Sequence, residues 1–131
     1  MPILLLGAAL ALQPAPPAAS PPESPASAVT LEQLPLEQAA AARCAIAFAT
    51  IGRWQRAGDS RGAAYPAADT DGGREFFVQV MAKLMERAGL SRDDVVALAT
   101  RGVEDHDRPG GAERVAALMP ACQMMKSAAG L

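Results

Sequence analysis

Two cysteines and one histidine are the residues best suited to nucleophilic, redox or metal chemistry in this chain. Cys44 lies in "AARCAIAF" and Cys122 in "LMPACQMM", each among apolar side chains. Thiols can be nucleophiles, metal ligands or the two ends of a disulfide. In an exported chain the expected state is a Cys44–Cys122 bridge. Buried free thiols would take its place in a reducing compartment, and reactive or ligating thiols rank last. His106 stands in "EDHDRPGG" beside Glu104, Asp105 and Asp107. A zinc site needs three or four ligands on fixed elements, whereas these neighbours fan out around a helix end. His106 is therefore expected at a solvated helix terminus rather than in a ligand set.

Other constellations fail on spacing. "DTDGG", Asp69 to Gly73, starts like a calcium loop, but placing Gly72 at the sixth position puts Ala67 first and Val78 twelfth, where a bidentate glutamate belongs. A helix-capping turn accounts better for it. No Gly-x-Ser-x-Gly elbow, phosphate-cradling Gly-x-x-x-x-Gly-Lys loop or C-x-x-C-H haem attachment is present. The pairs Asp93-Asp94 and Glu104-Asp105 are adjacent, so on a helix they diverge and cannot flank one bond. Glu75 and Glu86 are accounted for by solvation. No catalytic, cofactor-binding or metal-ligating residue is assigned; the expected site residues are the disulfide pair, Cys44 and Cys122.

Four helical stretches must position these groups. From Pro35 to about Ala57, Leu36, Ala40, Cys44, Phe48 and Ile51 recur at spacings of three or four, with Trp54 covering the edge of the stripe. Pro35 suits a helix start and Gly58 a helix end. A second helix is predicted from near Asp71 to Gly89, with Phe77, Val80, Leu84 and Ala88 on one side and Met81 and Met85 alongside. In "LSRDDVVAL", Ser91 and Asp94 form a capping box, with Leu90 and Val95 placed as a hydrophobic staple. Val95, Leu98, Ala99 and Val103 then point inward, until "DRPGG" breaks the chain at Asp107 to Gly111. In the fourth stretch Val115, Leu118, Met119, Cys122 and Met125 share a face, and Pro120 should kink or restart the helix. Met81, Met85, Met119, Met124 and Met125, at helical spacing, are expected mainly in the core, although methionine also lines adaptable binding surfaces. No alternating run supports a strand. The expected fold is all-α, a bundle of about four helices whose first and last members are joined by the disulfide.

The N-terminal part has a different character. "ILLLGAALAL", Ile3 to Leu12, is an apolar run of ten residues without a charge. That length fits the core of a secretory signal, about 7–15 residues, and falls short of the roughly 20 needed to span a bilayer. No Lys or Arg precedes the run, and cleavage could follow Ala11 or Ala28. Residues 13–29, with six prolines between Gln13 and Ala28, are expected to form a Pro/Ala-rich disordered tether. The helical domain then covers residues 30–131, about the length of one ordinary domain. The 12 basic and 14 acidic side chains of the whole sequence are mixed along the chain, which argues against an electrostatic grip on nucleic acid.

"ARCAIAF" (Ala42 to Phe48), "GREFF" (Gly73 to Phe77) and "MPAC" (Met119 to Cys122) together resemble segments of a set of small, exported, largely uncharacterised proteobacterial helical proteins with one cysteine pair. The resemblance spans most of the folded part and implies no established activity. In outline alone, through size, export and cysteine count, the chain is also similar to periplasmic acid-stress chaperones. The expected function is that of a periplasmic or secreted, non-enzymatic module binding a protein or apolar ligand, without cofactor, nucleic acid or an integral membrane span in the mature chain. The alternatives are a hydrolase or thiol redox enzyme, or a structural subunit of an envelope complex.

Overall fold

The computed structural model describes Pro14 and residues 29–131. The expected signal segment, residues 1–12, and all of the expected tether except Pro14 and Val29 lie outside the described residues. Four α-helices follow in order: α1 (Leu36–Arg56), α2 (Gly73–Arg87), α3 (Arg92–Asp107) and α4 (Gly111–Ala128), with short 3-10 turns at Leu31–Gln33 and Ser60–Gly62. The fold is all-α, with the helices packed around one core and the Cys44–Cys122 disulfide joining α1 to α4.

The first helix is more central than a one-sided stripe predicts. It packs against α2, α3 and α4, and an unbroken run from Cys44 to Phe48 is buried. Ala42, Ala45 and Ala47 have no room to give, and their small side chains let neighbours close on several sides at once. Leu36, expected on the inward stripe, is instead 84% exposed, because the first turn of α1 projects beyond the core. Trp54 does more than cover an edge. It is fully buried, and its indole N–H donates to Asp107 at 3.1 Å, tying the end of α1 to the end of α3.

Glycine ends α1 and α2 as predicted, with Gly58 and Gly89 both at φ 67°. The second helix begins at Gly73 rather than Asp71, since Gly72 at φ 89° turns the chain just before it. Its buried aromatic is Phe76, not Phe77, which is only half-buried. Phe76 lies one turn before Val80 and meets Phe48 edge-to-face, with ring centroids 5.6 Å apart. The two phenylalanines stand four and three residues before Val80, so helical periodicity admits either. Val80, Met81 and Leu84 are buried as expected, whereas Met85 is exposed.

The capping box of α3 is formed: Asp94 N–H donates to Ser91 Oγ at 3.1 Å, and Ser91 N–H to the Asp94 carboxylate at 2.8 Å. Val95 and Leu98 are buried, while Leu90 and Val103 pack on the core from its margin. The break at "DRPGG" needs both glycines. Gly110 adopts φ 84°, and a Cβ on Gly111 would lie 1.8 Å from the His106 carbonyl oxygen. Helix α4 buries Val115, Met119 and Cys122 and runs continuously through Pro120 without restarting. Pro120 faces outward, so the carbonyl of exposed Ala116, which loses its helical partner, lies on the solvated side.

Candidate functional site

Cys44 and Cys122 have Cα atoms 5.1 Å apart, and both residues are buried. Burial shields the sulfurs from an attacking thiolate, and the bridge fastens α1 to α4. The expected solvated setting of His106 needs correction. Its ring is half-buried against α1, with Nδ1 2.8 Å from Thr50 Oγ1. The Thr50 hydroxyl also lies 2.8 Å from the Ile46 carbonyl oxygen, which can only accept. Its single proton is thus committed to Ile46, and Thr50 accepts from the Nδ1–H of His106. The neutral ring is held in that tautomer, leaving Nε2 as an acceptor. Burial lowers the His106 pKa, Arg114 adds to the effect, and Asp105 and Asp107 oppose it.

Two acidic neighbours of His106, Asp105 and Asp107, are engaged elsewhere. Asp107 receives the Trp54 indole N–H and the Arg53 guanidinium, with Arg61 3.6 Å away. The Trp54 bond, with help from Arg53 and Arg61, holds the Asp107 pKa below its ordinary value. Asp105 pairs with Arg108 at 3.1 Å. Among the described residues no group of three His, Cys, Asp or Glu side chains is arranged to hold a metal ion. The Asp59 carboxylate accepts from the guanidinium and the backbone N–H of Arg61, which push its pKa down to about 2, and Arg61 in turn stacks 4.6 Å over the Trp54 ring.

Of several depressions of about 230–430 Å³ among the described residues, two combine an apolar surface with a half-buried or orphaned polar group. The first, of about 360 Å³, is an apolar groove between α1, α2 and α4. Phe76, Val80 and Leu84 form its floor, Ala41 and Gln38 one wall and Met125 the other, with Glu37, Lys83 and Arg87 at the rim. The Gln38 side-chain oxygen is buried there without a hydrogen-bond partner among the described residues. Such an orphan is uncommon in a folded domain and is satisfied by anything that brings a donor. The second, of about 420 Å³, lies between α1, α3 and α4 and is lined by His106, Arg43, Arg114, Ile46, Leu118 and Leu31.

A third feature is a latch rather than a pocket. Lys126 is only 4% exposed, and its ammonium donates to the Asp71 carbonyl and carboxylate, each at 2.6 Å. It also lies 5.6 Å from the centre of the Phe48 ring. The end of α4 is thereby fastened to the turn before α2.

Sequence reasoning missed Gln38, Arg43, Thr50 and Lys126. A polar side chain inside the alanine-rich face of α1 was the available sign for Gln38 and Thr50. Lysine in a last helical turn is ordinarily explained by the helix dipole, so Lys126 carried no such sign. The methionines divide: Met81 and Met119 are core, Met125 walls the groove, and Met85 and Met124 are exposed. No family model matches the chain, and searches of curated proteins and of solved structures found no match.

Proposed function

We propose that this chain is a small exported, non-enzymatic helical module of the cell envelope that binds an apolar segment in the α1–α2–α4 groove. The segment is either an acyl chain or the apolar face of a peptide helix. The observation that carries this reading is the groove itself: an apolar floor of Phe76, Val80 and Leu84, with an orphaned amide oxygen on Gln38 and cations at the rim. Concave, mainly apolar sites with a few convergent polar groups are the usual form of ligand pockets. Helix-in-groove recognition uses the same kind of surface.

Export is supported by the apolar run Ile3 to Leu12, by the resemblance to exported proteobacterial proteins and by the disulfide, which persists in oxidising compartments. Among the described residues no helix is long and apolar enough to cross a membrane. Lys83 and Arg87 favour a ligand with an acidic end over a basic one.

The test is isothermal titration of the purified chain with decanoate and, separately, with an acidic amphipathic helical peptide. At least one should bind saturably. Lys83→Glu should weaken it about tenfold, or about 1.4 kcal/mol, and Ala41→Trp, which fills the groove, should abolish it. Absence of binding by both probes overturns the reading, as does binding that Ala41→Trp leaves intact.

A further inference from the structure

The cleft beside His106 brings together a half-buried cation, unpaired among the described residues, and an acceptor of fixed orientation. Arg43 is half-buried, and its guanidinium has no hydrogen-bond or ion-pair partner among the described residues. A guanidinium drawn partly out of water is matched best by a carboxylate, whose two oxygens meet its forked N–H groups. His106 lines the same cleft, and its acceptor nitrogen is Nε2, because Nδ1 keeps its hydrogen and donates to Thr50 Oγ1. A ligand using both residues must carry a carboxylate and a hydrogen-bond donor. Leu31, Ile46 and Leu118 supply the remaining, apolar surface.

The surrounding charges agree with an anionic ligand. Arg114 donates to the carbonyl oxygens of Asp105 and Pro109, at 2.7 and 3.5 Å, and so keeps its full positive charge at the cleft. Asp105, the carboxylate lining the cleft, is offset by Arg108 at 3.1 Å.

We propose that this cleft is a second binding site, for a carboxylate with an adjacent N–H donor and an apolar side chain. That is the shared chemistry of an N-acylated apolar amino acid and of an apolar peptide C-terminus. Arg43 grips the carboxylate, His106 Nε2 accepts from the N–H, and the side chain rests on Ile46 and Leu118. The site has no lining residue in common with the α1–α2–α4 groove and does not depend on it.

The experiment is an NMR titration of the full chain with N-acetyl-leucine, following the backbone amide signals of Arg43, Gly102 and His106. Saturable shifts are expected, with a Kd of about 1 mM or tighter. N-acetyl-leucinamide, which lacks the carboxylate, should bind at least tenfold more weakly. Arg43→Gln should show the same loss with an unchanged thermal midpoint, since the Arg43 guanidinium makes no hydrogen bond or ion pair among the described residues. A hexapeptide ending in leucine separates the two sources: binding by it alone identifies a peptide terminus, by N-acetyl-leucine alone a free acylated amino acid. The proposal is overturned if neither probe shifts these signals saturably, if the amide binds as well as the acid, or if Arg43→Gln binds like the parent. Loss of binding in Ala41→Trp would move the ligand to the other groove and overturn it equally.

Discussion

At the scale of single residues, the half-burial of His106 makes stability depend on pH. His106 has a folded pKa below its ordinary 6.5, chiefly through burial, so between those two values the unfolded chain binds more protons than the folded one. Stability therefore falls as pH drops through 6.5 and levels off below the folded value. The lowered carboxylates act separately. Asp59 and Asp107 add stability above about pH 4 that is lost as pH falls through their folded values, near 2 for Asp59. Urea unfolding followed by the fluorescence of Trp54, the sole tryptophan, should give a lower midpoint at pH 5 than at pH 7.5. His106→Gln should flatten that difference and leave the limb below pH 4 in place. None of this was legible from the neighbours of His106, because Thr50 stands 56 residues away in the chain. The Ser91–Asp94 box, by contrast, is complete within four residues, and both of its bonds were readable in advance.

Between elements, the contact of α1 with α3 rests on a missing side chain. A Cβ at Gly102 would lie 2.6 Å from Ile46 Cγ2 and 2.9 Å from its Cδ1, so the two helices meet where α3 has only a hydrogen to offer. Gly102→Ala should destabilise by about 1–3 kcal/mol, the usual cost of overpacking a filled core. The double variant with Ile46→Ala should cost less than the sum of the two single changes, because each relieves the other. Additive costs measured in the same urea experiment would contradict this packing. Periodicity located all four helices, and Gly58 and Gly89 marked the ends of α1 and α2, since those features depend on local backbone preference. It could not choose Phe76 over Phe77, or show that α1 is surrounded. Those outcomes depend on how neighbouring helices are placed. Leu36 shows the opposite failure: it keeps the helical spacing but lies on a turn that no other element covers.

For the whole molecule, the disulfide and the Lys126–Asp71 latch both hold α4 in place, one to α1 and the other to the turn before α2. The disulfide closes a loop across a separation of 78 residues. Chain entropy assigns such a closure roughly 4–5 kcal/mol, against about 5–15 kcal/mol for the total stability of a domain. The Cys44→Ala/Cys122→Ala variant should accordingly lose several kcal/mol and unfold at a much lower urea concentration. A change below about 1 kcal/mol would mean that the denatured chain already keeps these helices together. Sequence reasoning reached this bridge from two thiols on apolar helical stripes in a chain expected to be exported. The groove and the cleft stayed out of reach, since each is assembled from three helices.

Helices α2 and α3 lie wholly between Cys44 and Cys122, so they sit inside a covalent ring. Proteolytic nicking of the exposed stretch around Ala63, Ala64 and Pro66 would therefore shed no fragment. The cut halves would migrate as one species until a reductant parted them. Scission alone would leave the molecule in one piece in a protease-rich setting, and damage would become release only when reduction accompanied it.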